Sequence, residues 1–463
     1  MRVQRTWFMA SIGLGILLNP LNSSMISVAI ARLQSVYKVN FTDVSWIIFA
    51  FYISSAIAQP VMGKAGDIFG RKKVFLAGLI VVCLASLLAP LSPNFGWLIA
   101  FRVLQSIGTS MIGAVGMAMV RIYITEKQAG ALSILSVFLS GASAFGPSVG
   151  GLLIHWWNWP AIFFVNIPFI VTSFVLALSA IPRDNLENYV SIKTSFRTLL
   201  YLVDGLGIVL FCVGMVGILI AALSSKSIGN YVIGMTGLIA MGLFVWRELR
   251  ATTPFIPLRS FGKYPTMTWV HLQFVLVNVL YYSLFFGLPT YLQEGRHLSV
   301  LDTGILMLSL GLCSLIASPI AGRLIDKLGP RPALLLSGIL MVLGAVWMVT
   351  LRQTSPVISV CLALAVFGIS NGLNNVGMQA ALFKSTPKEI IGVSSGLFQT
   401  SRYLGTILSS LLLDIVFRNS LNAGIFEWLG GVLAVIALLF LLMNWSRRMS
   451  TYSTELHLDK NAQ

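Results

Sequence analysis

The stretch GKAGDIFGRKK at residues 63–73 places three glycines and five charged side chains between two long apolar runs. This concentration of charge is unusual here, because only 10% of the 463 residues are charged and 57% are hydrophobic. A soluble domain averages about 25% charged residues. The composition therefore points away from a soluble fold, and residues 63–73 read as a short loop between two membrane-spanning helices.

Apolar stretches recur along nearly the whole chain. About twenty apolar residues in a helix cross a hydrocarbon core of about 30 Å. Backbone groups find no water partner inside lipid, so spanning segments of this length should be α-helical. Fourteen stretches meet the requirement, the first at 7–30 and the last at 424–445. We therefore predict an all-α integral membrane protein with 14 transmembrane helices.

The net charge of +16 raises the possibility of a nucleic-acid partner, but the placement of the charges argues against it. With both termini in the cytoplasm, most Lys and Arg residues fall on the cytoplasmic side, as the positive-inside rule requires. The basic N-terminus leads into a long apolar run, which favours an uncleaved first helix over a signal peptide. We predict a multi-pass cell-membrane protein with both termini cytoplasmic and no nucleic-acid partner.

Other function classes find little support in the sequence. The four cysteines lie in predicted helices without metal-type spacing, so we expect neither a metal site nor disulfides. The chain has no GxxxxGK[ST] phosphate-binding loop, which disfavours ATP-driven transport. No nucleophile–base pair is evident. We therefore predict no cofactor and no enzymatic activity.

A second copy of the charged stretch, GRLIDKLGPRP, occupies residues 322–332 and keeps the order Gly, basic, Asp, Gly, basic. Each copy follows the second helix of a group of six, so the chain reads as an internal duplication. We predict an N-terminal six-helix bundle over residues 1–181, followed by cytoplasmic linkers and two inserted transmembrane helices over 182–264. A C-terminal six-helix bundle over 265–446 and a cytoplasmic tail over 447–463 complete the chain.

Several stretches together resemble the major facilitator superfamily, and the six-plus-two-plus-six layout resembles its fourteen-helix drug–proton antiporter family. GKAGDIFGRKK resembles the loop signature, and FRVLQSIG (101–108) resembles the fourth-helix motif built on one Arg. GASAFGPSVGG (141–151) resembles the fifth-helix motif of antiporters, and WNWPAIFFVNIP, VDGLG and WRELRATTPFIPL agree with the family as well. The resemblance implies the major facilitator fold and proton-coupled export of hydrophobic or amphiphilic drugs from the cytoplasm by alternating access.

The charged stretch has the residues that a gate needs. Glycine permits close helix approach, and Asp67 is able to accept hydrogen bonds or to pair with Arg71 or Lys72. A topology anchor with solvated charges is the alternative, but it would not need the repeated Gly and Asp. The resemblance implies gating residues in both copies: Gly63, Asp67, Gly70, Arg71, Asp326 and Arg331.

The fifth-helix motif combines a predicted bend with flat faces. Gly146-Pro147 should bend the helix, because proline removes one backbone hydrogen bond. Gly141, Gly150 and Gly151 should allow tight helix packing. Packing alone is the alternative role; the resemblance adds that the motif favours an exporter.

Arg102 and Arg402 are the two cations placed inside predicted helices. Arg102 lies roughly 28 Å along its helix from Arg121, at 1.5 Å per residue. A guanidinium inside the membrane usually marks a pathway or a proton relay, and snorkelling to the headgroups is the alternative. The resemblance implies proton coupling by Arg102, with Gln105 beside it. Arg402 must face a partner, a carbonyl or the cavity.

The carboxylate for proton coupling is not where the family suggests. Relatives commonly carry Asp at the position of Asn22, and asparagine cannot carry a proton. The nearest acids lie toward the outer helix ends: Asp43, Asp302 and Asp414. We hypothesise that Asp43 pairs with Arg102 and exchanges protons; an N-cap at Thr42 or Asp43 is the alternative. Asp414 and Asp302 are the further candidates, with an interfacial position as the alternative for Asp414.

Polar side chains in apolar helices should face a cavity or another helix rather than lipid. His271 titrates near physiological pH, although a lone histidine is more often a packing residue. The candidate cavity residues, for which interhelical hydrogen bonding is the alternative, are Asn22, Gln105, Gln273, Asn278, Tyr281, Asn374 and Asn375.

The expected partners are small hydrophobic drug-like substrates, protons and the lipid bilayer. The alternative function is dedicated export of one endogenous amphiphile, such as a lipid, a fatty acid or a secondary metabolite. The lack of a midplane carboxylate weakens the case for purely cationic drugs, because a buried anion is the simplest selector for a cation.

Overall fold

A computed structural model describes residues 5–39, 41–184, 204–223, 228–252, 254, 256, 258–292, 296, 298, 300–352, 355–417 and 424–445. Over these residues the regular structure is entirely helical. The described α-helices are α1 (Arg5–Ile16), α2 (Leu18–Tyr37), α3 (Phe41–Phe69), α4 (Arg71–Leu88), α5 (Phe95–Tyr123), α6 (Gln128–Trp157), α7 (Ala161–Phe164), α8 (Asn166–Ala180), α9 (Gly205–Leu223), α10 (Ile228–Glu248), α11 (Leu258–Lys263), α12 (Pro265–Thr290), α13 (Val300–Leu328), α14 (Pro330–Thr350), α15 (Val357–Ser385), α16 (Ile391–Phe417) and α17 (Gly424–Trp445).

The prediction of an all-helical chain with many membrane-spanning helices is confirmed, whereas the number of fourteen is not confirmed. Eleven helical stretches of the described chain are long and apolar enough to cross a membrane. Two shorter apolar stretches lie at Gln128–Ser143 and Gly205–Ile218. The first predicted helix, 7–30, is divided into α1 and α2, because Pro20 has no N–H to donate to the carbonyl of Ile16.

The two charged stretches are not the loops that we expected. α3 continues to Phe69 and α4 begins at Arg71, so only Gly70 separates them. In the second copy only Gly329 separates α13 from α14. Gly70 has φ +104° and Gly329 has φ +82°, values that favour glycine because it has no Cβ. Each chain reversal is therefore made at one glycine, and the charged side chains lie on helix ends.

The chain divides into two compact units. The first unit comprises Met1–Thr125, Ala142–Lys263 and Lys388–Tyr403. The second unit comprises Glu126–Gly141, Tyr264–Pro387 and Leu404–Gln463. Helices α6 and α16 therefore contribute residues to both units.

Glycines allow the tightest helix crossings in both units. In the first unit, a Cβ on Gly108 of α5 would lie 2.7 Å from Val82 Cγ2 and 3.0 Å from the Gly78 carbonyl oxygen. In the second unit, a Cβ on Gly372 of α15 would lie 2.6 Å from the Ser314 carbonyl oxygen of α13. Small residues let backbones approach closely where lipid supplies no hydrophobic drive for helix association.

The α4–α5 crossing gives a direct test of this packing. We expect Gly108→Ala to lower the melting temperature of the purified protein by several degrees, because overpacking costs roughly 1–3 kcal/mol. Gly242→Ala in α10 is the matched control, since a Cβ there meets nothing within 4 Å. Equal melting temperatures for the two variants would contradict the crossing.

Candidate functional site

Arg102 is the centre of a buried polar cluster in the first unit. Its side chain is 1% exposed. Nη1 donates to Gln105 Oε1 at 2.6 Å, and the guanidinium carbon lies 4.3 Å from the centroid of the Phe51 ring. A charge-assisted hydrogen bond and a cation–π contact both offset part of the cost of burying the charge.

A chain of amides extends from this cation across three helices. Gln105 Nε2 donates to Asn22 Oδ1 at 3.0 Å and to Ser86 Oγ at 3.1 Å. Asn22 and Asn166 then exchange two hydrogen bonds of 2.9 Å each. Asn22 and Gln105 are thus engaged in interhelical bonds. Sequence reasoning did not single out Asn166, whose only signal was its place in the WNWPAIFFVNIP stretch.

Part of the Arg102 guanidinium keeps free hydrogen-bonding capacity. Nε and Nη2 have no hydrogen-bond partner among the described residues. Asp43 lies in the first turn of α3, inside the helix, but its side chain is outside the described part, so its pairing with Arg102 stays a prediction. Two buried N–H-bearing nitrogens therefore remain for an acceptor.

The other predicted charged residues are divided between the units. Arg402 is half-buried in the part of α16 that belongs to the first unit. Asp302 is exposed in the first turn of α13, and Asp414 lies near the end of α16 with its side chain outside the description; both belong to the second unit.

Asp67 is bound to the first turn of α16. Its carboxylate pairs with Arg71 Nη2 at 2.7 Å and accepts a hydrogen bond from the Val393 N–H. A Cβ on Gly392 would overlap the same carboxylate, and a Cβ on Gly63 would overlap the Gly392 carbonyl oxygen. Backbone N–H groups at a helix start have no partner within the helix and favour negative charge. Asp67 therefore caps α16 from a different helix.

Asp326 makes the equivalent bond in the second copy. Its two oxygens accept from the N–H groups of Ala129 at 3.0 Å and Gly130 at 2.9 Å, at the start of α6. Gly322 allows this approach because it has no side chain: a Cβ at this position would lie 2.7 Å from Ser133 Cβ. Arg331 differs from Arg71: it donates to the Trp445 carbonyl at 3.1 Å, at the end of α17.

A third carboxylate, which sequence reasoning missed, caps α4. Asp184 accepts from the backbone N–H groups of Lys72 and Lys73, each at 3.2 Å. A Cβ on Gly70 would overlap the Asp184 carboxylate, so this glycine is required both for its φ and for space. We call Asp67, Asp326 and Asp184 the capping carboxylates.

The fifth-helix motif packs against α2 at two of its glycines. A Cβ on Gly146 would overlap Ser24 Oγ, and a Cβ on Gly150 would lie 3.2 Å from Met25 Cα. Gly151 departs from our expectation of tight packing: a Cβ there meets nothing within 4 Å, so it faces away from the crossing. Helix α6 is assigned as continuous through Gly146 and Pro147, and the predicted bend stays a prediction.

Gly141 lies in the part of α6 that belongs to the second unit. Its Cβ would make an ordinary contact of 3.6 Å with Leu315 Cδ1 of α13. The four motif glycines thus meet different surroundings, because successive residues of a helix face different neighbours.

The predicted cavity residues of the second unit are partly used in packing. Tyr281 donates to Ser370 Oγ at 2.9 Å, and Asn374 Nδ2 donates to Ser337 Oγ at 3.4 Å. Their helices α12, α14 and α15 are joined by these bonds. Asn375 Nδ2 donates to Asn371 Oδ1 at 3.1 Å on the same helix.

Two further polar residues of α12 bond to their own helix, whereas Gln273 does not. Asn278 Nδ2 donates to the Phe274 carbonyl at 2.6 Å, and His271 Nδ1 bonds the Met267 carbonyl at 2.9 Å. Gln273 is fully buried, and neither of its amide atoms has a partner in the described part of the chain. It keeps the polar capacity that a ligand-facing residue needs.

Membrane-spanning helices in two units, a repeated glycine–carboxylate motif and a buried cation define a transporter rather than an enzyme. The chain belongs to the Major Facilitator Superfamily, whose family model matches residues 12–410. It is 44% identical to the Bacillus subtilis "Uncharacterized MFS-type transporter YwoD", over 95% of this chain and 96% of that protein.

More distant relatives carry functional names. The "Riboflavin transporter RibZ" of Clostridioides difficile is 26% identical, over 88% of this chain and 87% of that protein. The "Tetracenomycin C resistance and export protein" of Streptomyces glaucescens is also 26% identical, over 90% of this chain and 76% of that protein. Proteins named for the transport of riboflavin and for the export of tetracenomycin C are therefore among the relatives.

Hydrogen–deuterium exchange tests each capping carboxylate separately. We expect Asp67→Ala to accelerate exchange of the Val393 amide by roughly tenfold or more, because a hydrogen bond to a charged group contributes about 1.5–3 kcal/mol. Asp326→Ala should do the same for Ala129 and Gly130 while leaving Val393 unchanged. Uniform acceleration at every helix start, in both variants, would contradict separate caps.

Proposed function

We propose that this protein is a proton-coupled antiporter that exports hydrophobic or amphiphilic small molecules from the cytoplasm. It would lie in the cell membrane with 14 transmembrane helices and both termini cytoplasmic. Export would proceed by alternating access, in which two helical units rock around a site near the bilayer midplane.

The observation that carries this proposal is the paired capping by Asp67 and Asp326. Each carboxylate binds the first turn of a helix, α16 or α6, whose residues are divided between the two units. Releasing such a cap frees one end of a helix while its other end stays packed. The bonds are few, charged and at helix ends, so they suit a gate that must open and close repeatedly.

Proton coupling draws its support from the Arg102 cluster. A buried guanidinium with two unpartnered nitrogens, among the described residues, raises the affinity of its neighbourhood for an anion. An ionised carboxylate satisfies it, and a protonated carboxyl satisfies it less well. Asp43 is the candidate carboxylate in the N-terminal half, and Asp414 is the candidate in the C-terminal half.

The polarity of the buried side chains supports the proposed substrate class. The described side chains that lie deep in the helices offer amides and hydroxyls, among them the unpartnered Gln273, which suits neutral, zwitterionic or amphiphilic molecules. The tetracenomycin C exporter among the relatives favours drug export. The riboflavin transporter favours the second candidate, dedicated transport of one endogenous amphiphile.

Inside-out vesicles with an acidified interior test the coupling. A pH-sensitive dye reports the gradient while hydrophobic compounds of different charge are added. We expect proton release with several unrelated compounds, and loss of that release in either Asp43→Asn or Asp414→Asn. Glu427→Gln is the matched control, because Glu427 is exposed. A response that survives both substitutions would contradict the assigned carboxylates, and a response to one compound only would favour the dedicated exporter.

Arg102→Lys separates charge from geometry. Lysine keeps the positive charge but cannot reproduce the planar donor set or the stacking on Phe51. We expect the protein to fold while proton release falls by roughly tenfold, the effect of losing about 1.4 kcal/mol. Arg5→Lys at the start of α1 serves as the control, and release at the wild-type rate in Arg102→Lys would contradict the role of the cluster.

A further inference from the structure

The two inserted helices, α9 and α10, end in a buried group of charged residues that the proposed transport cycle does not use. Asp204 precedes α9 and is 3% exposed, and Glu248 is the last residue of α10 and is fully buried. Arg247 donates to Asp204 Oδ1 through Nε at 3.0 Å and through Nη2 at 2.6 Å. Two acids and one arginine of the insert therefore meet in one place.

Two carboxyl oxygens in this group face the same point. The Cβ position of Gly207 lies 2.6 Å from Asp204 Oδ2, and it would overlap Glu248 Oε1. Neither oxygen has an N–H or O–H donor among the described residues, and the two carboxyl groups hydrogen-bond each other only if one is protonated. Gly207 has no side chain, and this leaves room for the contact.

The hydrogen bonds decide which carboxyl is ionised. Asp204 accepts from Arg247 twice and from the Gly207 N–H at 3.1 Å. Burial acts to raise the pKa of Asp204, but these bonds outweigh it and hold the pKa below its ordinary value. Glu248 accepts one bond, from the Ile256 N–H at 2.9 Å. Asp204 therefore has more hydrogen bonds to stabilise its negative charge than Glu248 has. A second negative charge beside it is disfavoured.

We propose that Glu248 and Asp204 form a proton-binding site at the end of the insert, with the proton held on Glu248 and donated to Asp204 Oδ2. The ligand is one proton, which leaves for solvent water when Glu248 ionises. This site differs from the Arg102 cluster in position and composition. Its proton binding does not depend on whether transport is proton-coupled.

Other charged groups face this site from α3 and from near the end of α10. α9 packs against α3, which presents Lys64 as the nearby cation and Asp67, already paired with Arg71. Lys64 Nζ donates to the Pro254 carbonyl at 3.1 Å. Two further cations of the described residues near the end of α10 are engaged elsewhere: Arg250 stacks on Trp246, and Arg259 donates to the Leu249 carbonyl.

The proton bears first on the contact between Glu248 and Asp204. Ionisation of Glu248 places a second negative charge beside Asp204 in a buried position. After α10, Ile256 is bonded to Glu248, and Pro254 is bonded to Lys64, which lies one helical turn before Asp67 on α3. The contact between the two carboxyl groups is accordingly favoured while Glu248 is protonated and is lost when Glu248 ionises.

Infrared difference spectroscopy of the full-length protein in lipid nanodiscs detects this proton directly. At neutral pH, the wild type minus Glu248→Gln spectrum should contain the C=O band of a protonated carboxyl group. Glu126→Gln is the matched control, because Glu126 is exposed and its difference spectrum should contain ionised carboxylate bands alone. Raising the pH should remove the protonated band from the wild type.

A second variant keeps the test independent of Glu248→Gln folding. In Asp204→Asn the amide donates to Glu248, so Glu248 ionises and the protonated band is lost although the glutamate is present. Ionised carboxylate bands alone in the Glu248→Gln difference spectrum, or an unchanged protonated band in Asp204→Asn, would overturn the proposal. Neither readout requires a substrate, so failure here is distinguishable from failure of the proposed transport function.

Discussion

The structure depends on the backbone N–H groups that every helix start leaves without a partner. Three capping carboxylates supply partners from elsewhere in the chain: Asp67 for α16, Asp326 for α6 and Asp184 for α4. Negative charge is favoured at these ends by the helix dipole as well as by the hydrogen bonds. We propose that the Asp67 cap holds the first turns of α16 against α3, and that its release is a step of transport.

A second constraint governs the buried charges. Arg102 is kept in the membrane interior by one amide, one aromatic face and a chain of asparagines, which explains why Asn22 and Asn166 lie between their helices rather than facing lipid. These contacts offset part of the cost of burying Arg102, but two of its guanidinium nitrogens have no hydrogen-bond partner among the described residues. The insert shows a different arrangement, in which Arg247 donates twice to one oxygen of Asp204, while the other oxygen has no N–H donor among the described residues.

Helices were predictable because bilayer thickness fixes their length, as at 424–445, where the structure has α17. The glycine pattern also predicted close approach, and Gly63 and Gly322 do lie at crossings. The chain reversals at single residues were not predictable, because they depend on the positive φ of Gly70 and Gly329, which the sequence does not show. Gly151 shows the limit of a motif: the spacing puts a glycine in the helix but does not determine which face meets a neighbour.

The missed residues share one property, which is that their partners are remote in sequence. Asp184 caps a helix more than a hundred positions away, and Asn166 bonds Asn22 across a similar separation. Nothing in the local pattern of PRDN or VNIP shows these bonds. Asp326 was found because the duplication pointed to it, although its partner, the start of α6, emerged only from the structure.

Thiol labelling at Ser395→Cys, in a chain whose four native cysteines are replaced, tests the Asp67 cap. Ser395 is 3% exposed near the start of α16. We expect slow labelling, accelerated roughly tenfold or more by Asp67→Asn, because a charge-assisted hydrogen bond is lost. Ser337→Cys, fully buried in the second unit, should label at an unchanged rate. An unchanged rate at position 395 in Asp67→Asn would contradict the claim that this carboxylate holds α16 in place.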